Sequence, residues 1–357
     1  MTAKKLRCVF AHYFAWFSNP ENSSEWHHWE WNGEGTRHSP VNFTAPGRRD
    51  IATVQYPLLV PYDSSSDDII RSHVRQAGGA LIDAFCVDWY GPASQMSHER
   101  DKIIDMNFRK ILKVSRTESF SACICYEEKI LTHAKLPDNT AACIDTGRRH
   151  FKYIADNYFP DPAYWRINGR PVIVIWGNHS LSADAWRAIL EPVKPFRPMV
   201  LYSYHFPLQN SLLESSGLID GFYPWMEIKD VEGQRSDLEK YYSIAQDSVK
   251  AGRSKHLCAG VWPGFNDSGV SGWGRGARII HDPHDKVYDL TWELALRHNP
   301  EIVSIATWND WNEGSVIEPS VEQGTGRLDQ TREFIRRFKQ MNRTARRNSR
   351  AVNAARS

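Results

Sequence analysis

Eight times along the chain, a short run of β-branched and aromatic residues gives way to a loop and then to a stretch with helical spacing of apolar side chains. No other feature constrains the fold as much. The runs are residues 7–14, 81–88, 119–126, 171–176, 199–204, 219–223, 257–262 and 302–307. Strands that are apolar on both faces belong to a parallel sheet covered by helices. The helical patterns between them fall at 67–76, 99–114, 141–157, 183–193, 237–250, 284–297 and 332–341, with Ser64, Ser65 and Ser66 as an N-cap cluster for the first. A weaker segment follows the fifth run at 210–215. Eight such units predict an α/β chain folded as a single (β/α)8 TIM barrel with long βα loops. An open doubly wound sheet is the competitor. Against it, residues 10–17 at the end of the first strand carry no glycine-rich phosphate turn.

Charge separates a barrel from a tail. Residues 331–357 hold nine Lys or Arg against one acid, a net of +8 within an overall +2, so the remainder carries −6. The reading is a catalytic barrel over residues 1–342 and a basic, disordered tail over 343–357. An arginine-rich tail can bind nucleic acid, but the acidic body would repel phosphate, and no nucleic-acid partner is expected. No apolar run reaches the roughly 18 residues of a membrane span. Residues 1–17 put Lys4, Lys5 and Arg7 ahead of an apolar stretch, but that stretch holds His12 and lacks a small-residue cleavage site, so it reads as a first strand rather than a signal. Six cysteines are too few for a disulfide framework, and five of them sit inside strand-like runs, which suits reduced thiols in a cytoplasmic protein. The Cys123 and Cys125 spacing is not that of a zinc site. His27 and His28, adjacent and therefore pointing apart, are not expected to share a metal, nor are His281 and His284.

In a barrel of this kind the chemistry collects where the strands end and the eight following loops converge. Those ends carry His12, Tyr13 and Trp16; Asp88, Trp89 and Tyr90; Tyr126, Glu127 and Glu128; Trp176; Tyr204 and His205; Trp225 and Glu227; Trp262, Phe265, Asn266 and Asp267; and Trp308, Asn309, Asp310, Trp311, Asn312 and Glu313. The chain has 14 tryptophans, and about half stand at these ends. Flat rings beside carboxylates and amides suit a sugar, offering faces to its C–H bonds and acceptors to its hydroxyls. The 47 residues from Trp16 to Tyr62 form the longest insertion, and the Glu25–Trp31 run within it is expected in a cleft wall. Residues 260–276, with six glycines and Trp262, Phe265, Trp273 and Arg275, read as a rim over the cleft or a plain connection.

The strongest local signal is Thr307-Trp308-Asn309-Asp310-Trp311-Asn312-Glu313-Gly314, followed by Glu318. Two acids three residues apart just past a strand can reach one substrate bond. Glycoside cleavage needs such a pair, one carboxyl handing a proton to the leaving oxygen and the other generating the nucleophile. Closeness and partial burial should push the two pKa values apart.

The sequence resembles glycoside hydrolase family 99 and its wider 71/99-like relatives, which include barrel proteins of bacterial polysaccharide clusters. The matching stretches are His12-Tyr13-Phe14 with Trp16, Tyr56-Pro57-Leu58-Leu59 with Pro61-Tyr62-Asp63, Val87-Asp88-Trp89-Tyr90-Gly91, Arg170-Pro171-Val172-Ile173, and Trp308 to Gly314 with Ile317-Glu318-Pro319. The resemblance implies a retaining, endo-acting α-mannosidase type of activity that uses no metal or other cofactor. It implies that the substrate's own 2-hydroxyl attacks the anomeric carbon to give a 1,2-anhydro sugar. Carried across, Asp310 takes the proton of that hydroxyl and Glu313 is the acid/base. The family's first acid is Glu, and Asp310 is shorter by about 1.5 Å. Expected substrate contacts are His12, Tyr13, Trp16, Asp88, Trp89, Tyr90, Glu127, Trp176, Tyr204, His205, Trp225, Glu227, Trp262, Trp308 and Asn309, with an oligo- or polysaccharide as partner. The alternative is a barrel that binds or builds polysaccharide without hydrolysing it.

Overall fold

In a computed structural model of the chain, which describes residues 6–96, 99–133, 140–177, 180–206, 216–282 and 286–354, all eight expected strands form. They are β1 (Cys8–Tyr13), β2 (Ala84–Trp89), β3 (Ser121–Glu127), β4 (Arg170–Trp176), β5 (Met199–Tyr204), β6 (Gly221–Pro224), β7 (Cys258–Val261) and β8 (Ile302–Ile305). Nearly every residue in them is buried, as a sheet covered by helices and filled inside requires. Hydrogen bonding runs in parallel from β7 through β8, β1, β2, β3, β4 and β5 to β6. First and last strands pair in register Cys8 with Ile302 and Ala11 with Ile305, which brings the end of the chain's last βα loop beside the first.

The barrel is nearly closed, and its seam lies between β6 and β7. There the strands meet without a ladder. A Cβ on Gly221 would stand 2.8 Å from Cys258 Sγ, and one on Gly260 would stand 2.2 Å from the Pro224 carbonyl, so both positions need glycine for the strands to approach. The Tyr241 hydroxyl, from the following helix, sits between the carbonyls of Phe222 and Cys258, 2.7 Å from the latter, and ties the two strands.

The outer layer is α1 (Asp67–Gly79), α2 (Glu99–Thr117), α3 (Thr140–Asn157), α4 (Ala183–Ile189), α5 (Val231–Lys250), α6 (Val287–His298) and α7 (Gly326–Ala354). Ser66, Ser182 and Asp230 cap α1, α4 and α5 by accepting from Ile69, Ala185 and Gly233 N–H. Several expected boundaries move. Helix α4 stops at Ile189 because Pro192 and Pro195 turn the next residues into a 3-10 segment, Glu191–Phe196. Helix α5 starts at Val231, six residues before the expected 237, because Asp230 supplies the cap and Gly233 is tolerated in the first turn. Helix α7 runs through Ala354 rather than ending at 341, since no Gly or Pro interrupts residues 327–354. The basic stretch from 343 to 354 continues this helix. The weak segment at 210–215 lies outside the described residues. Among those described, no helix is long and apolar enough to cross a membrane.

The long β1–α1 insertion wraps one side of the barrel mouth. Trp29 is its anchor, fully buried with Nε1 donating to the Tyr62 carbonyl at 2.7 Å. His28 has φ 61°, and this left-handed residue breaks the alternation of side chains, so the His27 and His28 rings lie 4.3 Å apart instead of pointing away from each other.

Candidate active site

The β8 loop winds tightly from Thr307 to Ser315. Thr307 N–H donates to the Ser315 carbonyl at 2.7 Å, and Thr307 Oγ1 accepts Asp310 N–H at 2.8 Å. Asp310 Oδ1 in turn accepts Glu313 N–H at 3.1 Å. Below them Asn309 locks the loop to β1, with Phe14 N–H donating to its Oδ1 at 2.8 Å and its Nδ2 donating to the Phe14 carbonyl at 2.9 Å. The Tyr62 hydroxyl accepts from Asn309 Nδ2 and Trp311 Nε1 at 3.0 and 3.1 Å and donates to Glu318 Oε2 at 2.9 Å. Glu318, wholly buried, also meets His73 Nε2 at 3.1 Å, and His73 Nδ1 meets the Tyr13 hydroxyl at 3.0 Å. A connected polar network thus underlies the motif, and only a fully satisfied network of this kind is tolerable at such depth.

Four carboxyl groups from three strand ends feel one another: Asp88 near the end of β2, Glu127 at the end of β3, and Asp310 and Glu313 after β8. Asp310 is nearly enclosed at 4% exposure, while 24% of the Glu313 side chain reaches solvent. Burial, with Glu313 and Asp267 beside it, holds the Asp310 carboxyl well above the usual carboxylate range. Burial also raises Glu313, opposed by an indole N–H from Trp273 and by the Arg278 guanidinium. Glu127 is pushed up to about 7 by burial, with Glu313 adding to the rise and Lys129 opposing it. Burial raises Asp88 well above its ordinary value, helped by Glu127 and Asp310 and opposed by a hydrogen bond from Tyr90. Both members of the central pair shift upward. A pair like this holds one proton more readily than none or two.

The expected aromatic residues divide into two groups. Tyr13, Trp89, Trp262, Trp308 and Tyr204 are packed in the interior with Asn309, and His12 is buried beside them. Tyr90, Trp176, His205 and Trp225 remain partly open, as do Glu127 and Glu227. Trp16 lies at the junction, its ring stacked on His28 at 4.3 Å with 10° between planes. One arc of rings runs from Tyr90 through Trp16 and His28 to Trp273 and Trp31. A second runs from His12 through Trp225 and Trp176 to His205. Five polar atoms of the expected site residues have no hydrogen-bond partner among the described residues: Asp88 Oδ2 and the indole Nε1 of Trp16, Trp176, Trp262 and Trp308. Buried polar groups are costly unless paired, and such atoms at a strand-end rim are ready partners for ligand hydroxyls. Glu128, by contrast, is used internally, accepting from the Tyr202 hydroxyl and Leu181 N–H at 2.7 and 3.0 Å.

Trp273 and Arg278 are the contributors that sequence reasoning did not connect to the acids. Trp273 Nε1 donates to Glu313 Oε1 at 3.0 Å, and Arg278 stands 3.6 Å from the same oxygen while binding Asp267 Oδ2 at 2.7 Å. Nothing local in residues 260–278 signals a partner some 40 positions later. His12, Cys86 and Cys125 bring donor atoms within 4.8 Å of one another in the barrel interior. Burial lowers His12 to about 3 and raises Cys125 to about 11, and it raises Cys86 well above its ordinary value, so all three are neutral. His12 Nε2 meets Ser304 Oγ at 3.1 Å, and the thiol of Cys86 bonds those of Cys123 and Cys125. A cavity of about 640 Å³ is lined by Trp26, Phe43, Arg49, Tyr56, Tyr62 and Asp68, and none of the four acids borders it.

The family model described as glycosyl hydrolase family 99 matches residues 6–335. The chain is 23% identical over 341 residues to the glycoprotein endo-alpha-1,2-mannosidase of Mus musculus, covering 89% of this chain and 69% of the relative. It is 23% identical over 345 residues to the human glycoprotein endo-alpha-1,2-mannosidase-like protein, again covering 89% of this chain and 69% of the relative. The solved endo-alpha-mannosidase of this family from Bacteroides thetaiotaomicron superposes with a TM-score of 0.72 at 21% identity, covering 93% of this chain and 97% of that one.

Proposed function

The chain belongs to glycosyl hydrolase family 99 and is a glycosidase, and from that premise we propose that it cleaves internal linkages of an α-mannose-containing glycan with retention, using Asp310 and Glu313. The observation that carries this reading is the pairing of an enclosed Asp310 with a solvent-reaching Glu313 on one turn, the Glu313 charge adding to the burial that raises Asp310. In the first half-reaction Asp310 accepts the proton of the 2-hydroxyl as its oxygen attacks C1. Glu313 passes a proton to the glycosidic oxygen, which leaves with the electron pair of the C1–O bond. In the second, Glu313 takes a proton from water as the water oxygen attacks C1. The electron pair of the opening three-membered ring returns to the 2-oxygen, which regains its proton from Asp310.

Tyr90, Trp16, Trp176, His205 and Trp225 are the substrate-facing rings in this reading, supported by their partial exposure or their unpartnered indole N–H groups. A cytoplasmic site of action is supported by the six free cysteines.

The test is release of new reducing ends from α-mannan and α-mannosyl oligosaccharides by the wild type, Asp310→Asn and Glu313→Gln, with the product anomer followed by NMR. Release by the wild type alone, with the α-anomer formed first, is the expected result. Equal release by Glu313→Gln rejects the assignment, and release by none of the three favours a glycan-binding barrel.

A further inference from the structure

The loop after β7 contains a backbone feature that the barrel does not require. Ser271, Gly272, Trp273 and Gly274 all have positive φ, at 47°, 60°, 57° and 79°. A left-handed conformation is unfavourable for a residue with a Cβ, and it normally occurs at single positions. Trp273 is among the least suited residues to it. Such a segment persists only where its surroundings over-determine it, and it clusters at functional sites.

The surroundings here are specific. Gly272 N–H donates to the Asp267 carbonyl at 3.0 Å and Gly276 N–H to the Ser271 carbonyl at 3.0 Å, closing the turn. Asp267, fully buried, accepts from Arg278 N–H and Nε at 2.6 and 2.7 Å and clamps its base. Thr36 N–H donates to Ser271 Oγ at 2.7 Å, fastening the turn to the long insertion, and Trp31 meets the Trp273 ring edge-on at 5.7 Å. The outcome of all these bonds is one placement: the Trp273 indole N–H on Glu313 Oε1 at 3.0 Å.

We propose that Trp273 is a positioning residue that decides which oxygen of Glu313 carries the transferred proton. An indole nitrogen donates and cannot accept. While it holds Oε1, a proton on Glu313 is favoured on Oε2, because the unprotonated oxygen is the better acceptor for the indole. The same geometry serves both half-reactions: Oε2–H gives its proton to the departing glycosidic oxygen, and the ionised Oε2 later takes one from water. Arg278 approaches Oε1 as well, so both donors of the loop converge on the oxygen that does not exchange. The groups facing Glu313 are Asp310 on its own loop, Asp267, Trp273 and Arg278 from the β7 loop, and Glu127 and Lys129 from the end of β3. Of these only the Trp273 N–H is neutral at every pH.

This inference rests on Glu313 being the proton donor, and its test separates the two claims. Wild type, Trp273→Phe, Trp273→His and Glu313→Gln are assayed on two α-mannobiosyl substrates, one with a sugar alcohol leaving group and one with an activated aryl leaving group that departs without a proton. Trp273→Phe is expected to lower kcat/KM at least about tenfold on the first and less than about threefold on the second, and to move the alkaline limb of its pH profile upward because a donor to the carboxylate is gone. Trp273→His, which keeps a ring N–H, is expected to recover part of the loss. Glu313→Gln is expected to show the same contrast more strongly. If Glu313→Gln shows it and Trp273→Phe loses equally on both substrates or on neither, the Trp273 assignment is wrong and the acid stands. If Glu313→Gln shows no contrast, the acid itself is misassigned. Should Trp273→Phe not fold, Ser271→Ala frees the turn from Thr36 with the indole intact, and it must show the same contrast in weaker form for the proposal to survive.

Discussion

Asp310 Oδ1 accepts the backbone N–H of Glu313 at 3.1 Å, so the shorter acid of the pair has a structural duty that its chain length makes possible. Its own N–H is held by Thr307 Oγ1 at 2.8 Å, which leaves the side chain one short turn to span. Asp310→Asn keeps an oxygen for that bond and removes the base of the proposed mechanism, so kcat/KM should fall at least about 100-fold with thermal unfolding little changed. Asp310→Glu restores the residue type of the resembling family but extends the carboxyl about 1.5 Å past the Glu313 N–H. It should be less active than the wild type. Activity equal to or above wild type in Asp310→Glu would show that the loop is not built around the shorter side chain.

Tyr62→Phe removes one hydroxyl and strands three partners, Asn309 Nδ2, Trp311 Nε1 and Glu318 Oε2. Leaving buried donors and a buried carboxyl oxygen unpaired costs about 1–3 kcal/mol each where no water enters. Denaturant unfolding should therefore show a loss of at least ~2 kcal/mol for this variant. A midpoint within error of wild type would mean that water replaces the hydroxyl and that the network is not dry.

Glu127 gives stability a pH dependence of known sign. Its carboxyl sits at about 7 in the folded protein against an ordinary 4.5. A group raised on folding binds its proton more tightly in the native state, so its stabilising contribution is complete below 4.5 and is lost as pH climbs through 7. Glu127→Gln cannot ionise and escapes that loss. Its Tm should exceed wild type at pH 8, by at most roughly 3 kcal/mol in stability, and the difference should shrink toward zero near pH 4. A gap that is constant from pH 4 to 8 would assign the effect to packing.

The barrel was legible because its signals are local: apolar runs such as Val172-Ile173-Val174-Ile175 in β4, a serine at the head of α1, two acids three residues apart after β8. What governs Glu313 was not, because Trp273 and Arg278 reach it through a loop whose left-handed turn has no sequence signature beyond its glycines. The seam was equally hidden, since Gly221 and Gly260 look like weak strand residues until β6 and β7 are brought together. A strand-end position also says that a ring is near the mouth and not which way it faces. Trp225 and Trp262 end neighbouring parts of the barrel, yet one is half-buried and the other is 1% exposed.

That contrast gives the sharpest division between binding and packing. Trp225 stands edge-on to His12 at 4.8 Å and beside Trp176 at 6.0 Å, and it is only partly buried. If it offers that surface to a sugar, Trp225→Ala should raise KM on α-mannosyl oligosaccharides about tenfold, the equivalent of ~1.4 kcal/mol of stacking, with a modest change in Tm. Trp262 has no such surface, so Trp262→Ala leaves a large cavity and should cost about 3–5 kcal/mol in unfolding free energy. The protein that remains folded should show a KM close to wild type. The opposite pattern, with stability lost at 225 and affinity lost at 262, would mean that the open rings are wall and that substrate enters by displacing the interior ones.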